Sequence, residues 1–320
     1  MSHMDGALII DKPVGMTSHD VVARVRKIIG ERRVGHTGTL DPFATGVLVV
    51  LLGRATRLAQ FLSGTEKEYE AVIRLGYATD TGDLTGARVE EDKSEVHAKA
   101  QSPQSFRREE IEAALASLRG EIEQTPPMYS AKKIAGEKLY ELARRGEEVE
   151  RKAVRITVRE FEALPRENEL LRFIDDGTCD LAVRVVCSAG TYVRTLAESV
   201  GERLGVSAHL TELRRTRAGR FKIEDATTID RLNEMAESGK IAAALISPDA
   251  ALAHLPCLNC DPDDARRARH GIDVAIADAE SSQWADGQPV RMLFGGELTA
   301  VGIYDETQEL MHPKVVIATE

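Results

Sequence analysis

The chain has 320 residues, 42 Lys plus Arg against 52 Asp plus Glu, a formal net charge of -10, a hydrophobic share of 42% and an aromatic share of 4%. This length allows roughly two domains of about 100 to 200 residues each, and the composition is neither disordered nor fibrous. No apolar run approaches the ~18 residues of a membrane span, no export signal opens the chain, and four cysteines make no disulfide framework, so a cytoplasmic protein is expected; the overall acidity argues against a nucleic-acid partner.

Residues 7–10 are predicted to form a short apolar strand, closed by a turn at Pro13 and Gly15. Ser18 is expected to cap a helix with Val21, Val22, Val25, Ile28 and Ile29 on one face, Arg24 and Lys27 on the other, and Gly30 as its stop. A glycine-rich segment, 35–46, leads into a buried strand at 47–52 and a helix over 54–63. Tyr69, Ala71, Ile73 and Leu75 alternate as one face of a half-buried strand. The polar stretch 85–105 reads as a solvent loop or insertion, and 109–118 as a helix with Ile111, Leu115 and Leu118 inward. Irregular chain at 124–136 precedes a charged helix over 137–145. Strands at 154–161, 170–174 and 181–187, a helix at 193–204 and a strand at 209–215 follow. This order predicts an α+β domain around a mixed, largely antiparallel sheet with flanking helices, not a regular βαβ winding. Past Leu245 short apolar pieces alternate with Gly, Asp and Pro, which suits a small β-rich domain. Residues 1–244 and 245–320 are therefore expected to be separate domains.

Asp41 stands out within the glycine-rich segment. Pro42 biases it towards extended backbone, and Gly38 and Gly46 permit tight turns and close approach of a ligand. A carboxylate presented this way can be a nucleophile or a base, but Asp-Pro is also a common turn dipeptide. The sequence holds no phosphate loop, nucleophile elbow or zinc-binding His-Glu-x-x-His helix. Nucleotide hydrolysis and zinc proteolysis thereby lose their simplest support. Cys257 and Cys260, with His254 or His270, could be half of a zinc site, but Cys179 and Cys187 lie eight apart and supply no matching pair, so no metal is expected.

Residues 35–46, GHTGTLDPFATG, resemble the catalytic segment of the TruB-type tRNA pseudouridine synthases, in which the Asp is the essential residue. The resemblance runs in order through 6–15 (GALIIDKPVG), 67–75, 79–86 (TDTGDLTG), 127–136 (PMYSAKKIAG), 138–144, 187–195 (CSAGTYVRT) and 208–215 (AHLTELRR), and spans about residues 6 to 217. The part after Leu245, including Gly287-Gln288-Pro289-Val290, resembles more loosely the family's PUA domain, a small β-barrel-like RNA-binding unit. The resemblance implies isomerisation of a specific uridine of tRNA, position 55 in the TΨC loop, by base flipping, cleavage of the glycosidic bond and reattachment at C5. No cofactor and no metal are implied. Asp41 would be the nucleophile, towards the uracil ring or the sugar C1', and Arg194 would keep it ionised and oriented. Tyr69 would stack on the flipped base and take a proton, Tyr192 and Leu213 would line its pocket, and His36 would fill the stacking space it vacates. Lys12 and Pro13 would buttress the catalytic loop. Asp80 and Asp83 match a recurrent acidic segment that a capped turn explains equally well.

Residues 124–151, with Lys132, Lys133 and Lys138, are a candidate flap that clasps the RNA. The expected partner is the T arm of tRNA, with no membrane and no protein partner, and the chain is expected to be a monomer. Two rival readings are a non-catalytic tRNA-binding or folding protein and a synthase acting on a uridine of another RNA. Counted by region, residues 241–320 hold 5 basic and 13 acidic residues, a balance of -8, which leaves -2 for residues 1–240. Residues 24–33 and 211–222 each carry five basic residues and one acidic. Both clusters are expected to supply a local field for phosphate contact on an acidic protein.

Overall fold

The structure, a computed structural model, describes residues 4–89, 106–130, 132–134, 136–147, 149–166, 169–276 and 283–318. Most of the loop expected at 85–105 lies outside the described residues. The first part of the chain runs through β1 (Gly6–Lys12), α1 (Ser18–Ile29), β2 (Val34–His36), β3 (Thr45–Leu52), α2 (Ala59–Leu62), β4 (Lys67–Leu75), α3 (Arg108–Ala116) and β5 (Gly120–Gln124). It continues through β6 (Lys133–Ile134), β7 (Glu137–Lys138), α4 (Leu139–Arg144), β8 (Val154–Ala163), β9 (Leu171–Phe173), β10 (Cys179–Cys187), α5 (Val193–Leu204), β11 (Ala208–Ala218), β12 (Phe221–Lys222) and α6 (Ile229–Glu237). The remainder is α7 (Pro248–Ala251), β13 (Cys257–Asn259), α8 (Pro262–Arg269), β14 (Val274–Ala275), β15 (Pro289–Phe294), β16 (Glu297–Asp305) and β17 (Leu310–Val316).

The large sheet has the order β1-β3-β11-β4-β10-β8-β5, with β2, β9 and β12 paired beside it. Along that path only β3 against β11 is parallel, with Arg214 opposite Thr45 and Arg215 opposite Gly46. The α+β class and the mixed, largely antiparallel sheet are thus as expected. The uninterrupted apolar run of β3 follows from cover on both faces: Leu48, Val50 and Leu52 pack with Val21, Val22 and Val25 of α1, while Val47, Val49 and Leu51 pack with Leu58 and Leu62. Tyr69, Ala71, Ile73 and Leu75 of β4 turn into a third core, closed by α3 and α5.

Three local expectations change. The cap of α1 is Thr17, whose side chain accepts from the Asp20 amide while Asp20 accepts from Thr17. The stretch expected as one helix over 54–63 is a 3₁₀ turn, Gly53–Leu58, followed by the single-turn α2. The charged helix begins only at Leu139, because Glu137–Lys138 is drawn into a hairpin with Lys133–Ile134.

The second sheet, β13-β15-β16-β17-β14, is a separate five-stranded unit with its own core around Trp284, Met292, Tyr304 and Met311. Leu298, Val301, Val315 and Ile317 join the core under β1 and β3. No helix of the described residues is long and apolar enough to cross a membrane.

Candidate active site

Asp41 lies in the loop between β2 and β3, and three buried side chains hold that loop from outside. Ser18 Oγ accepts from the Leu40 amide at 2.8 Å and donates to its carbonyl at 3.1 Å. Lys12 Nζ donates to the carbonyls of Ala44 (2.6 Å), Pro42 (3.3 Å) and Pro13 (3.0 Å). Arg215 donates through Nε to Val47 O (2.7 Å) and through Nη2 to Gly38 O (3.0 Å). Lys12 has no exposed surface, and burial lowers its ammonium pKa to about 8, against the opposing pull of Asp41. The residue expected to buttress the loop is therefore bonded to it through two carbonyls, those of Pro42 and Ala44.

Arg194, near the start of α5, is 4% exposed and spends its whole guanidinium on four partners. Nε lies 3.0 Å from Asp41 Oδ2 and Nη1 lies 3.5 Å from Asp83 Oδ2. Nη1 also donates to Thr81 O (2.8 Å), and Nη2 to Tyr129 O (2.6 Å). Asp83 caps the turn as the segment suggested, Oδ1 accepting from the Thr85 amide (2.9 Å) and from Thr81 Oγ1 (2.9 Å), and its Oδ2 also faces Arg194. Asp80 only caps, accepting from the Ala87 amide at 2.8 Å. Burial raises the Asp41 carboxyl above its ordinary value; Arg194 and Lys12 counter this, and Asp83 adds to it.

A cavity of about 300 Å³ opens beside this pair, and Asp41, Tyr69, Tyr192, Arg194 and Leu213 all line it. That volume is at the lower end of small-ligand sites. Tyr69 sits on β4 opposite Arg215 of β11, and Leu213 lies two residues earlier on the same strand. Burial pushes the Tyr69 hydroxyl up while Arg215 opposes the shift, so the ring meets the cavity as a neutral phenol. Tyr192 is held by its own peptide: its amide donates to Gln124 Oε1 (2.8 Å) and its carbonyl accepts from Gln124 Nε2 (3.1 Å). A second cavity, about 660 Å³, adjoins this inner one, and Thr39, Leu40, Asp41, Ser130 and Arg194 line both.

His36 lies apart from these linings, on β2. Its Nδ1 accepts from the Gly38 amide (3.3 Å), and its ring meets edge-on that of His19, which lines the second cavity. Burial, aided by His19 and Arg215, lowers its pKa to about 4, so it is neutral at pH 7. Of the three flap lysines, Lys132 lines the inner cavity, and the side chains of Lys133 and Lys138 lie outside the described residues.

Sequence reasoning missed Lys67, Gln124 and the true place of Arg215. Lys67 lines the inner cavity, donates to the Ser63 carbonyl (2.6 Å) and to that of Thr65, and has its pKa lowered to about 8 by burial. Its position two before Tyr69 on a strand was the available signal, since residues i and i+2 share a face. The basic cluster at 211–222 is mostly spent internally: Arg214 pairs with Asp11 and Arg217 with Glu66 and Glu68, while Arg215 is buried. The cluster at 24–33 is different, for Arg24, Arg26, Lys27, Arg32 and Arg33 are all exposed, next to His36. Cys179 and Cys187 are buried on β10, with thiol pKa values pushed up to about 12 and about 11. Among the described residues no group of three His, Cys, Asp or Glu could hold a metal ion.

Comparison with known proteins adds names to this geometry. Residues 26–193 match the TruB family pseudouridylate synthase N-terminal domain, and residues 194–253 match the tRNA pseudouridylate synthase B C-terminal domain. The tRNA pseudouridine synthase B of Geobacillus thermodenitrificans is 47% identical over 268 residues, 84% of this chain and 85% of that protein. That of Geobacillus kaustophilus is 48% identical over 268 residues, 84% of this chain and 90% of its own. Among solved structures, an H/ACA RNP bound to a substrate RNA containing 2'-deoxyuridine is similar at a TM-score of 0.69 and 26% identity, covering 98% of this chain and 85% of that one. A Cbf5-Nop10-Gar1 complex is similar at 0.67 and 30% identity, covering 98% and 84%.

Proposed function

The chain belongs to the TruB family of pseudouridylate synthases, and on that premise we propose that this tRNA pseudouridine synthase isomerises uridine 55 of the TΨC loop. The observation that carries the proposal is the Asp41–Arg194 pair at 3.0 Å on the wall of a cavity that Tyr69, Tyr192 and Leu213 also line. The target uridine leaves its stack and enters this cavity, where the Tyr69 ring stacks on the base. Asp41 is the nucleophile, towards the uracil ring or the sugar C1'. Arg194 holds its carboxylate charged and aimed, against the burial that would neutralise it. Asp41 bonds to the uracil ring or to C1', the C1'–N1 bond breaks, C1' rejoins the base at C5, and the bond to Asp41 breaks to return its carboxylate; the C5 proton passes to the Tyr69 oxygen as that hydroxyl hands its own proton to water, and N1 gains a proton. Atoms and electrons balance without a cofactor or metal.

His36, neutral and beside the exposed basic face of α1, occupies the gap the base leaves in the RNA. Residues 124–151 act as a flap over the nucleotide, and residues 245–320 form a PUA-like RNA-binding domain after a catalytic domain of residues 1–244. The enzyme works in the cytoplasm as a monomer.

Asp41→Asn tests this reading, since the amide keeps the shape and loses the nucleophile. The variant should bind a T-arm RNA and yield no pseudouridine by mass spectrometry with base-specific labelling, and Lys132 should cross-link to the RNA in the complex. Turnover by Asp41→Asn sinks the assignment. Product made elsewhere in a tRNA whose uridine 55 is changed to cytidine favours a different target uridine, and wild-type binding without product favours a folding protein.

A further inference from the structure

Ser130 is placed like a working residue and has nothing to work on. It is 4% exposed, and its Oγ has no hydrogen-bond partner among the described residues. A buried hydroxyl left unpaired costs about 1–3 kcal/mol, and native structures leave few of them. The peptide before it, by contrast, is hydrogen-bonded at both ends. The Ser130 amide donates to Met128 O at 3.0 Å, and the carbonyl just before it, that of Tyr129, accepts from Arg194 at 2.6 Å.

The five residues that line both cavities form the neck between them. The inner side has the Tyr69 and Tyr192 rings and Leu213, a surface suited to a flat base. The outer side is lined by His19, Pro42 and Thr85. A nucleotide with its base in the inner cavity must set its ribose and phosphate in the neck. There Asp41 and Arg194 are committed to each other, Leu40 is apolar and Thr39 is exposed. The buried polar group left over is the Ser130 hydroxyl. It can donate and accept, and one χ1 step re-aims it without moving the backbone.

We infer that the Ser130 hydroxyl hydrogen-bonds the sugar–phosphate of the nucleotide whose base enters the inner cavity, as a positioning residue for the reaction. This rests on the synthase reading above. Its partner is a ribose hydroxyl or a phosphate oxygen, either of which can accept a hydrogen bond from it.

Ser130→Ala separates this role from a structural one, because the two move stability and activity differently. Removing an unpaired hydroxyl should leave the melting temperature unchanged or raise it. At the same time kcat/KM on a T-arm RNA should fall about 2- to 12-fold, the worth of one hydrogen bond. A target 2'-deoxyuridine assigns the partner: if it slows wild type but not Ser130→Ala any further, the partner is the ribose 2'-hydroxyl, and additive losses assign a phosphate oxygen. Wild-type kcat/KM in Ser130→Ala, or a lowered melting temperature that accounts for the loss, overturns the inference. Asp41→Asn assayed alongside keeps the two questions apart. If it is inert while Ser130→Ala is unaffected, only this inference fails; if it turns over, the synthase reading fails.

Discussion

A lysine with no exposed surface and, among the described residues, no carboxylate bonded to its ammonium is an expensive way to hold a loop, and Lys12 does it by donating to two carbonyls of the loop and to that of Pro13 beside it. The cost has a pH signature. Folded Lys12 titrates at about 8, against an unfolded value of 10.5. Between those values the unfolded chain binds a proton that the folded chain does not, so stability rises with pH across that window. Below about 8 both states are protonated and the penalty is felt in full. The slope contributed is at most about 1.4 kcal/mol per pH unit. Urea midpoints from pH 7 to 10.5 should therefore climb more steeply for wild type than for Lys12→Met, and parallel curves would show that Lys12 titrates as an ordinary lysine. The resemblance to the synthase family made the buttressing role legible, because Lys12-Pro13 matches that family's Lys-Pro pair. It did not make the burial legible, since a lysine is rarely buried and nothing local says that a loop thirty residues on will close over it.

At the scale of elements, the site depends on one junction, where β3 and β11 run parallel for two residue pairs. Gly46 sits there at φ +99°, and a Cβ on it would fall 2.2 Å from the Arg215 carbonyl oxygen. Substitution thus meets both a left-handed backbone and a backbone wall. Gly46→Ala should cost at least about 3 kcal/mol, among the larger effects of single changes, and should reduce turnover more than Thr17→Ala, which removes only a helix cap worth about 1 kcal/mol. Chemical denaturation and activity of the two variants check this, and a Gly46→Ala protein as stable as wild type contradicts it. The glycine itself was legible as a point of close approach, but what approaches was not. Arg214 and Arg215 lie about 170 residues away along the chain, and period-two alternation says which face a strand buries, not which strand it meets. For the same reason Ser18 read as a helix cap when its hydroxyl is tied to Leu40, across from the loop it holds.

Across the whole molecule, the acidity that argued against an RNA partner is concentrated where the C-terminal sheet lies, and the free positive charge is concentrated on α1 and the turn after it. The C-terminal sheet also closes the core under β1 and β3, with Leu298, Val301, Val315 and Ile317 against Val49, Leu51 and Leu58, and Arg57 donating to Val316 O at 2.8 Å. Cutting the chain at 244 would bare that apolar face, so truncation confuses a failure to fold with a failure to bind RNA. Surface substitution in the intact chain keeps them apart. Arg266 and Arg267 are exposed but already engaged with Asp263 and with the Asp273 carbonyl, and Arg269 leans over Phe294. Arg24, Lys27, Arg32 and Arg33 are exposed, and among the described residues their charges meet no carboxylate. Removing one phosphate-binding charge lowers the slope of log K against log salt by about 0.7 to 0.9. Replacing Arg24, Lys27, Arg32 and Arg33 with Ala should therefore flatten the slope by about 3 to 4 and weaken tRNA binding strongly. Replacing Arg266, Arg267 and Arg269 should change it by about 1 or less. Titrations at three salt concentrations measure both. A larger change from the C-terminal trio would mean that the acidic sheet, through a patch of three arginines, does more of the holding than the basic helix beside His36.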